Sequence, residues 1–133
     1  MKQSYIGAVA AIFDEEGRVL ILQRPPEDTW MPDKWALAGG KLDKGETPLQ
    51  AVVREVREET TLELQSPREY YISKNGEVVY FVERVSQPKV QIDFEHVDFA
   101  WVSIEELTNY KEDLVPGLIE VVRLARKVLL MYA

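Results

Sequence analysis

Residues 39–62 read Gly39-Gly40-Lys41-Leu42-Asp43-Lys44-Gly45-Glu46-Thr47-Pro48-Leu49-Gln50-Ala51-Val52-Val53-Arg54-Glu55-Val56-Arg57-Glu58-Glu59-Thr60-Thr61-Leu62. Thr47 is a good N-cap, Pro48 suits the first helical position, and Gln50 completes a capping box with Thr47. Leu49, Val52, Val53 and Val56 follow the i, i+3, i+4, i+7 spacing of a buried helix face. Glu55, Glu58 and Glu59 stand at i, i+3 and i+4, so they share one face of that helix, expected beside the apolar stripe and not within it. Like charges so spaced destabilise an isolated helix by a few tenths of a kcal/mol per pair. A hard divalent cation with oxygen ligands would compensate, and Gly39-Gly40 can bring a bare backbone carbonyl close to the same ion. A solvated helix face is the plainer reading: Arg54 lies four residues before Glu58, with Arg57 nearby, so surface ion pairs account for part of the pattern.

Outward from this helix, residues 5–13 form an apolar run that predicts a buried strand. The turn Asp14-Glu15-Glu16-Gly17 and a second apolar run at 18–23 predict a hairpin. Residues 24–34 carry three prolines and several charges and predict an irregular loop, followed by a short apolar segment from Trp35 to Ala38. Two strands, 69–74 and 77–85, are expected to join at Asn75-Gly76. A further strand at 97–102, a short helix near 103–107 and a last helix from about Pro116 complete the reading. Strands and helices are interleaved without regular alternation, so an α/β fold with a mixed sheet between helices is expected.

The 133 residues fit one domain, 1–133, and 46% hydrophobic with 29% charged residues is an ordinary globular composition. No apolar run approaches the roughly 20 residues of a membrane span. Residues Met1–Tyr5 lack a signal peptide's apolar stretch, so a cytoplasmic location is expected. With no cysteine and the single histidine His96, thiolate and histidine-rich zinc sites are excluded. A net charge of -7 disfavours extended nucleic acid and anionic membranes. It still admits a small phosphorylated ligand screened by divalent cations.

The spacing within 40–62 goes further. Gly40, five residues, Glu46, seven residues, Arg54-Glu55-Val56, one residue, Glu58-Glu59, one residue and Thr61-Leu62 closely resembles the Nudix box. Its fixed polar positions are all present, and Thr61 replaces the family's glycine. The resemblance implies the Nudix fold, an α/β/α sandwich with a mixed sheet. It implies metal-dependent cleavage of a pyrophosphate bond in a nucleoside diphosphate derivative, with Mg2+ or Mn2+ as cofactor. Glu58, Glu59 and the carbonyl of Gly40 match metal ligands. Glu55 matches a ligand that also handles the attacking water's proton, and Glu46 and Arg54 match a structural ion pair. Glycine at the Thr61 position serves a left-handed helix exit, which threonine disfavours, so a different exit is expected.

Water attack on phosphorus calls for charge neutralisation and a base. A further base in this family often comes from a distant loop, and Glu95 is the candidate, with Asp93 and Glu77 as weaker options. His96 reads as a partly buried polar residue near a strand start, or as a phosphate or base contact. Arg24, ending the second strand, is expected about where MutT-type enzymes place a phosphate-binding arginine. An edge arginine in a surface loop is the plainer alternative. Trp35, Tyr80 and Phe81 are candidates for a base-stacking platform or for core packing.

The segment resembles the MutT-type nucleoside triphosphate pyrophosphohydrolases most, with monophosphate and pyrophosphate as products. ADP-ribose or dinucleoside polyphosphate hydrolysis is the alternative, and a non-catalytic nucleotide-sensing module a third. Ala38 replaces the usual proline before the paired glycines. Residues 109–116 place no clear asparagine at the MutT purine-reading position. Either a monomer or a homodimer is compatible with the sequence.

Overall fold

The computed structural model describes residues 4–86 and 89–132. The strands are β1 (Gly7–Phe13), β2 (Val19–Gln23), β3 (Trp35–Ala36), β4 (Ala38–Lys41), β5 (Arg68–Ile72), β6 (Val78–Arg84) and β7 (Asp98–Val102). The helices are α1 (Pro48–Thr60), α2 (Ile104–Leu107) and α3 (Leu118–Met131), with a 3-10 turn at Thr108–Asp113 between the last two.

The local signals act as expected. Thr47 caps α1, its hydroxyl accepting from the Gln50 N–H while the Gln50 side chain reaches back to the Thr47 N–H. Ser103 and Glu106 build a second capping box on α2. Asn75 orders the β5–β6 turn by accepting from Ser73 Oγ and the Glu77 N–H.

The β1–β2 hairpin is looser than the apolar runs suggest. Its turn is closed by buried Asp14, whose carboxylate accepts from the backbone N–H groups of Glu16 and Arg18 and from Arg18 Nε. The strands pair only at Phe13 and Val19. Each has other partners: β1 runs antiparallel to β4 and parallel to β6, whereas β2 is taken by β3 and β7. The sheet therefore splays into two arms hinged at the turn.

Alternation along the strands explains the layers. Ala8, Ala10 and Ile12 of β1, with Leu20 and Leu22 of β2, pack with Val52 and Val56 of α1. Ala11, Phe13, Val19 and Ile21 point the other way and join Leu118, Val122 and Ala125 of α3. The core is thus two apolar layers separated by a mixed sheet, an α/β/α sandwich.

Two details of α1 depart from the sequence reading. Leu49, placed on the apolar face, is 48% exposed. Glu59, placed beside that face, belongs to it: it follows Val52 and Val56 at i+7 and i+3 and is only 4% exposed. The helix is rotated so that Ala51, Val52, Val56, Glu59 and Thr60 face inward. Its exit also differs from expectation. Thr61 adopts the left-handed conformation, with φ 67°, and its N–H donates to the Arg57 carbonyl. The chain keeps a glycine-type helix exit with a β-branched residue in it.

Candidate active site

β4 lies between β1 and the acidic side of α1, and its glycines set the approach. A Cβ on Gly39 would lie 2.3 Å from the Ala8 carbonyl oxygen, and one on Gly40 would lie 2.7 Å from Glu55 Oε2. Bare backbone at Gly39 lets β4 close on β1, and at Gly40 it lets β4 meet the Glu55 carboxylate. The Gly39 N–H then donates to Glu59 Oε1 at 2.8 Å.

Arg54 organises the exposed side of the same helix. Its Nε and Nη2 donate to the two oxygens of Glu46 at 2.7 and 2.9 Å, the parallel geometry that suits a guanidinium. Nη1 donates to Glu55 and Glu58 at 2.8 and 2.9 Å, and Nη2 also reaches the Lys41 carbonyl. The guanidinium holds the Glu46 carboxyl down at about 2. Arg54 thus ties the loop before α1 to the helix while offsetting repulsion among its acids.

The C-terminal end of α1 is covered by a distant segment. The Gln91 N–H donates to the Thr60 carbonyl and the Asp93 N–H to the Glu59 carbonyl, satisfying groups that a helix leaves open. This lays the turn Asp93-Phe94-Glu95-His96 over the acids. His96 Nδ1 sits 3.0 Å from Asp93 Oδ1, and its Nε2 lies 3.9 Å from Glu59 Oε2.

The electrostatic result is unusual. Burial pushes the Glu59 carboxyl up to about 9, against the pull of the Gly39 N–H and with help from Glu55, Asp93 and Glu95. Burial also raises Glu55, against the attraction of Arg54, and Glu58 and Glu95 add to the rise. Glu59 is therefore a desolvated carboxyl among other acids, a state that a bound cation would relieve. The donors gathered here are oxygens, which suit a hard divalent ion. Among the described residues no three acidic or histidine side chains already form a cage, because Glu55 and Glu58 lean on Arg54.

At these acids opens a cavity of about 840 Å³, whose lining includes Gly39, Gly40, Glu55, Glu59 and Glu95. That volume is within the usual range for small-molecule sites, about 300–1,000 Å³. A family model described as the NUDIX domain matches residues 4–125.

The chain belongs to the Nudix family.

It is a Nudix pyrophosphohydrolase, and hydrolases of this family generally use divalent metal ions and bind nucleotide small molecules. CTP pyrophosphohydrolase of Escherichia coli strain K12 is 36% identical to it over 112 residues, covering 79% of this chain and 81% of that one. Nucleoside triphosphatase NudI of Escherichia coli O139:H28 is 27% identical over 119 residues, covering 77% and 84%. A solved MutT protein from Methanosarcina mazei Go1 has the same fold, with TM-score 0.73, 27% identity and coverage of 96% and 97%.

Within this Nudix domain the residues singled out from sequence separate into groups. Gly40, Glu55, Glu59, Glu95, Arg24 and Tyr80 line the cavity. Glu58 lies beside it on the outer face of α1, bonded to Arg54. Phe81 does not reach the cavity: it is 3% exposed and packs in the α1-side layer. Trp35 does not either, since it packs edge-on against Tyr110 on the α3 side. Strand alternation explains Phe81, because its neighbour Tyr80 takes the other face.

Arg24 lines the cavity, but its guanidinium is engaged within its own loop. Nε donates to the Trp30 carbonyl at 2.9 Å and Nη2 pairs with Asp28 at 2.9 Å. A phosphate would have to displace these bonds. The sequence reading passed over two exposed aromatics at the cavity, Trp30 and Phe94. Both lie in irregular segments without periodicity. Their one signal was a large apolar residue among charges and turn formers.

No helix among the described residues is long and apolar enough to cross a membrane.

Proposed function

We propose that this Nudix enzyme hydrolyses nucleoside triphosphates to the monophosphate and pyrophosphate, in the cytoplasm, with Mg2+ or Mn2+. The observation that carries the reading is the buried Glu59 carboxyl, stranded among Glu55, Asp93 and Glu95 at the floor of a nucleotide-sized cavity. Glu55, Glu58, Glu59 and the Gly40 carbonyl would hold the cation. When bound, it supplies charge neutralisation for the phosphate oxygens and lowers the cost of ionising water.

The chain's own groups do the rest. The Gly39 N–H fixes one oxygen of Glu59 and leaves the other toward His96 and the cavity. Arg54 and Glu46 hold the loop of β4 against α1, so Gly40 and Glu55 keep their spacing. Glu95, which lines the cavity from a separate turn, would accept the proton of the attacking water. Water adds to phosphorus, the phosphoanhydride bond breaks, and pyrophosphate leaves. The activities for which the two Escherichia coli relatives are named, on CTP and on nucleoside triphosphates, support this substrate class.

Product analysis on a nucleotide panel with Mg2+ or Mn2+ tests the reading. Monophosphate plus pyrophosphate is the expected pair. AMP plus ribose 5-phosphate as the main products would replace it with ADP-ribose hydrolysis, and binding without turnover would replace it with a sensor.

A further inference from the structure

An exposed tryptophan in a loop is ordinarily mobile, and fixing it costs side-chain entropy. Trp30, 54% exposed at the cavity, is instead held from several directions. The Arg24 guanidinium carbon lies 4.8 Å from the centre of its ring, within cation–π range. The same group donates to the Trp30 carbonyl and pairs with Asp28. The loop base is closed by the Arg24 N–H to the Lys34 carbonyl at 2.9 Å and by the Gln23 amide to the Asp33 carbonyl at 3.2 Å. Beyond Trp30 the chain turns through two left-handed residues, Met31 at φ 48° and Asp33 at φ 65°. Asp tolerates this conformation; Met does not favour it. Such strain persists only where its surroundings impose it.

The loop therefore presents a fixed aromatic plane at a cavity that is also lined by Glu55, Glu59 and Glu95. Tyr80 also lines the cavity, and so does Phe94, which is 92% exposed on the turn that carries Glu95. Aromatic rings and carboxylates in one cavity match the two parts of a nucleotide, a heterocyclic base and a cation-bound phosphate chain.

We propose that Trp30, braced by Arg24, is the stacking platform for the substrate's base, with Phe94 as the second aromatic contact. Arg24 is then a positioning residue and not a phosphate ligand. Stacking accepts any base, so Trp30 sets affinity for having a base and not for which one. This assignment rests on the nucleotide reading above.

The test uses the whole enzyme with Mg2+. For Trp30→Ala, KM for CTP and ATP rises about tenfold or more, the scale of one lost base–aromatic stack, while kcat falls far less. Inhibition by inorganic tripolyphosphate, which has no base, keeps its strength. Arg24→Met raises KM in the same direction, and Trp30→Phe restores most of the affinity. Parent KM in Trp30→Ala overturns the proposal, and so does an equal loss of tripolyphosphate binding. If Trp30→Ala fails to fold, fluorescence decides. α,β-Methylene-CTP quenches emission of the parent and not of Trp30→Phe, and equal quenching in both overturns the assignment. An enzyme that cleaves no triphosphate defeats the earlier reading, while the quenching comparison still judges Trp30.

Discussion

The Gly39 N–H and Glu59 Oε1 are joined by a 2.8 Å hydrogen bond that fastens strand β4 to the inward face of helix α1. That bond stabilises a carboxyl whose charge is otherwise opposed by burial and by its acidic neighbours.

Glu59→Gln is expected to stabilise the metal-free protein. The folded carboxyl titrates at about 9, against 4.5 for an ordinary glutamate. Its favourable share of stability is complete below 4.5 and is lost as pH rises through about 9. The variant's advantage therefore grows over that window and reaches on the order of 3 kcal/mol at pH 7. Urea unfolding in EDTA at pH 5 and pH 8 measures it; an advantage independent of pH contradicts the prediction.

Glu58→Gln and Glu59→Gln are expected to lower kcat by about a hundredfold or more with Mg2+, with native circular dichroism. Adding Mg2+ should raise the parent's Tm and leave that of Glu59→Gln nearly unchanged. Full turnover in both variants removes the proposed ion site.

Arg54→Lys is expected to lower kcat about tenfold or more, because one ammonium cannot hold Glu46 through two bonds and still reach Glu55, Glu58 and the Lys41 carbonyl. Glu46 is held at about 2 against the ordinary 4.5. Its contribution is whole above 4.5 and disappears as pH falls through about 2. Glu46→Gln should narrow its stability deficit against the parent over that acid window. A deficit constant from pH 6 to pH 2 would falsify the pairing as the source.

Thr61→Gly is expected to stabilise the protein by about 0.5–1 kcal/mol. Removing the β-carbon from a left-handed residue relieves roughly 1–2 kcal/mol, partly offset by the entropy of glycine in the unfolded chain. The shift in urea midpoint at constant m-value measures it. Destabilisation would show that the Thr61 hydroxyl contact with the Thr60 carbonyl outweighs the strain.

What was legible in the sequence was what acts over a few residues. Thr47, Pro48 and Gln50 place the start of α1, and Asn75-Gly76 places a turn, because their partners are local. The spacing from Gly40 to Glu59 was legible for the same reason. Which face of α1 is buried was not, because that is set by β1 and by the segment at 91–93, far along the chain. Glu59 was misplaced on that account, and of the two neighbours Tyr80 and Phe81, strand alternation leaves Tyr80 at the cavity and turns Phe81 into the α1-side layer. Trp30 was missed because no periodicity marks a loop, and its position depends on the fold of Arg24 around it.

Strand β1 is bonded to β4 on one edge and to β6 on the other. During synthesis β4 and α1 leave the ribosome well before β6 and the Asp93–His96 turn. Before those segments dock, Asp93 and Glu95, which help to raise the Glu59 carboxyl, are absent from the site, so a more ordinary ionisation is expected. The buried, proton-holding form of Glu59 is acquired only when the later segments dock. If Glu59 holds the cation as proposed, cation uptake by the finished chain would release that proton, so metal loading is expected to be strongest in alkaline solution and to trail folding in time.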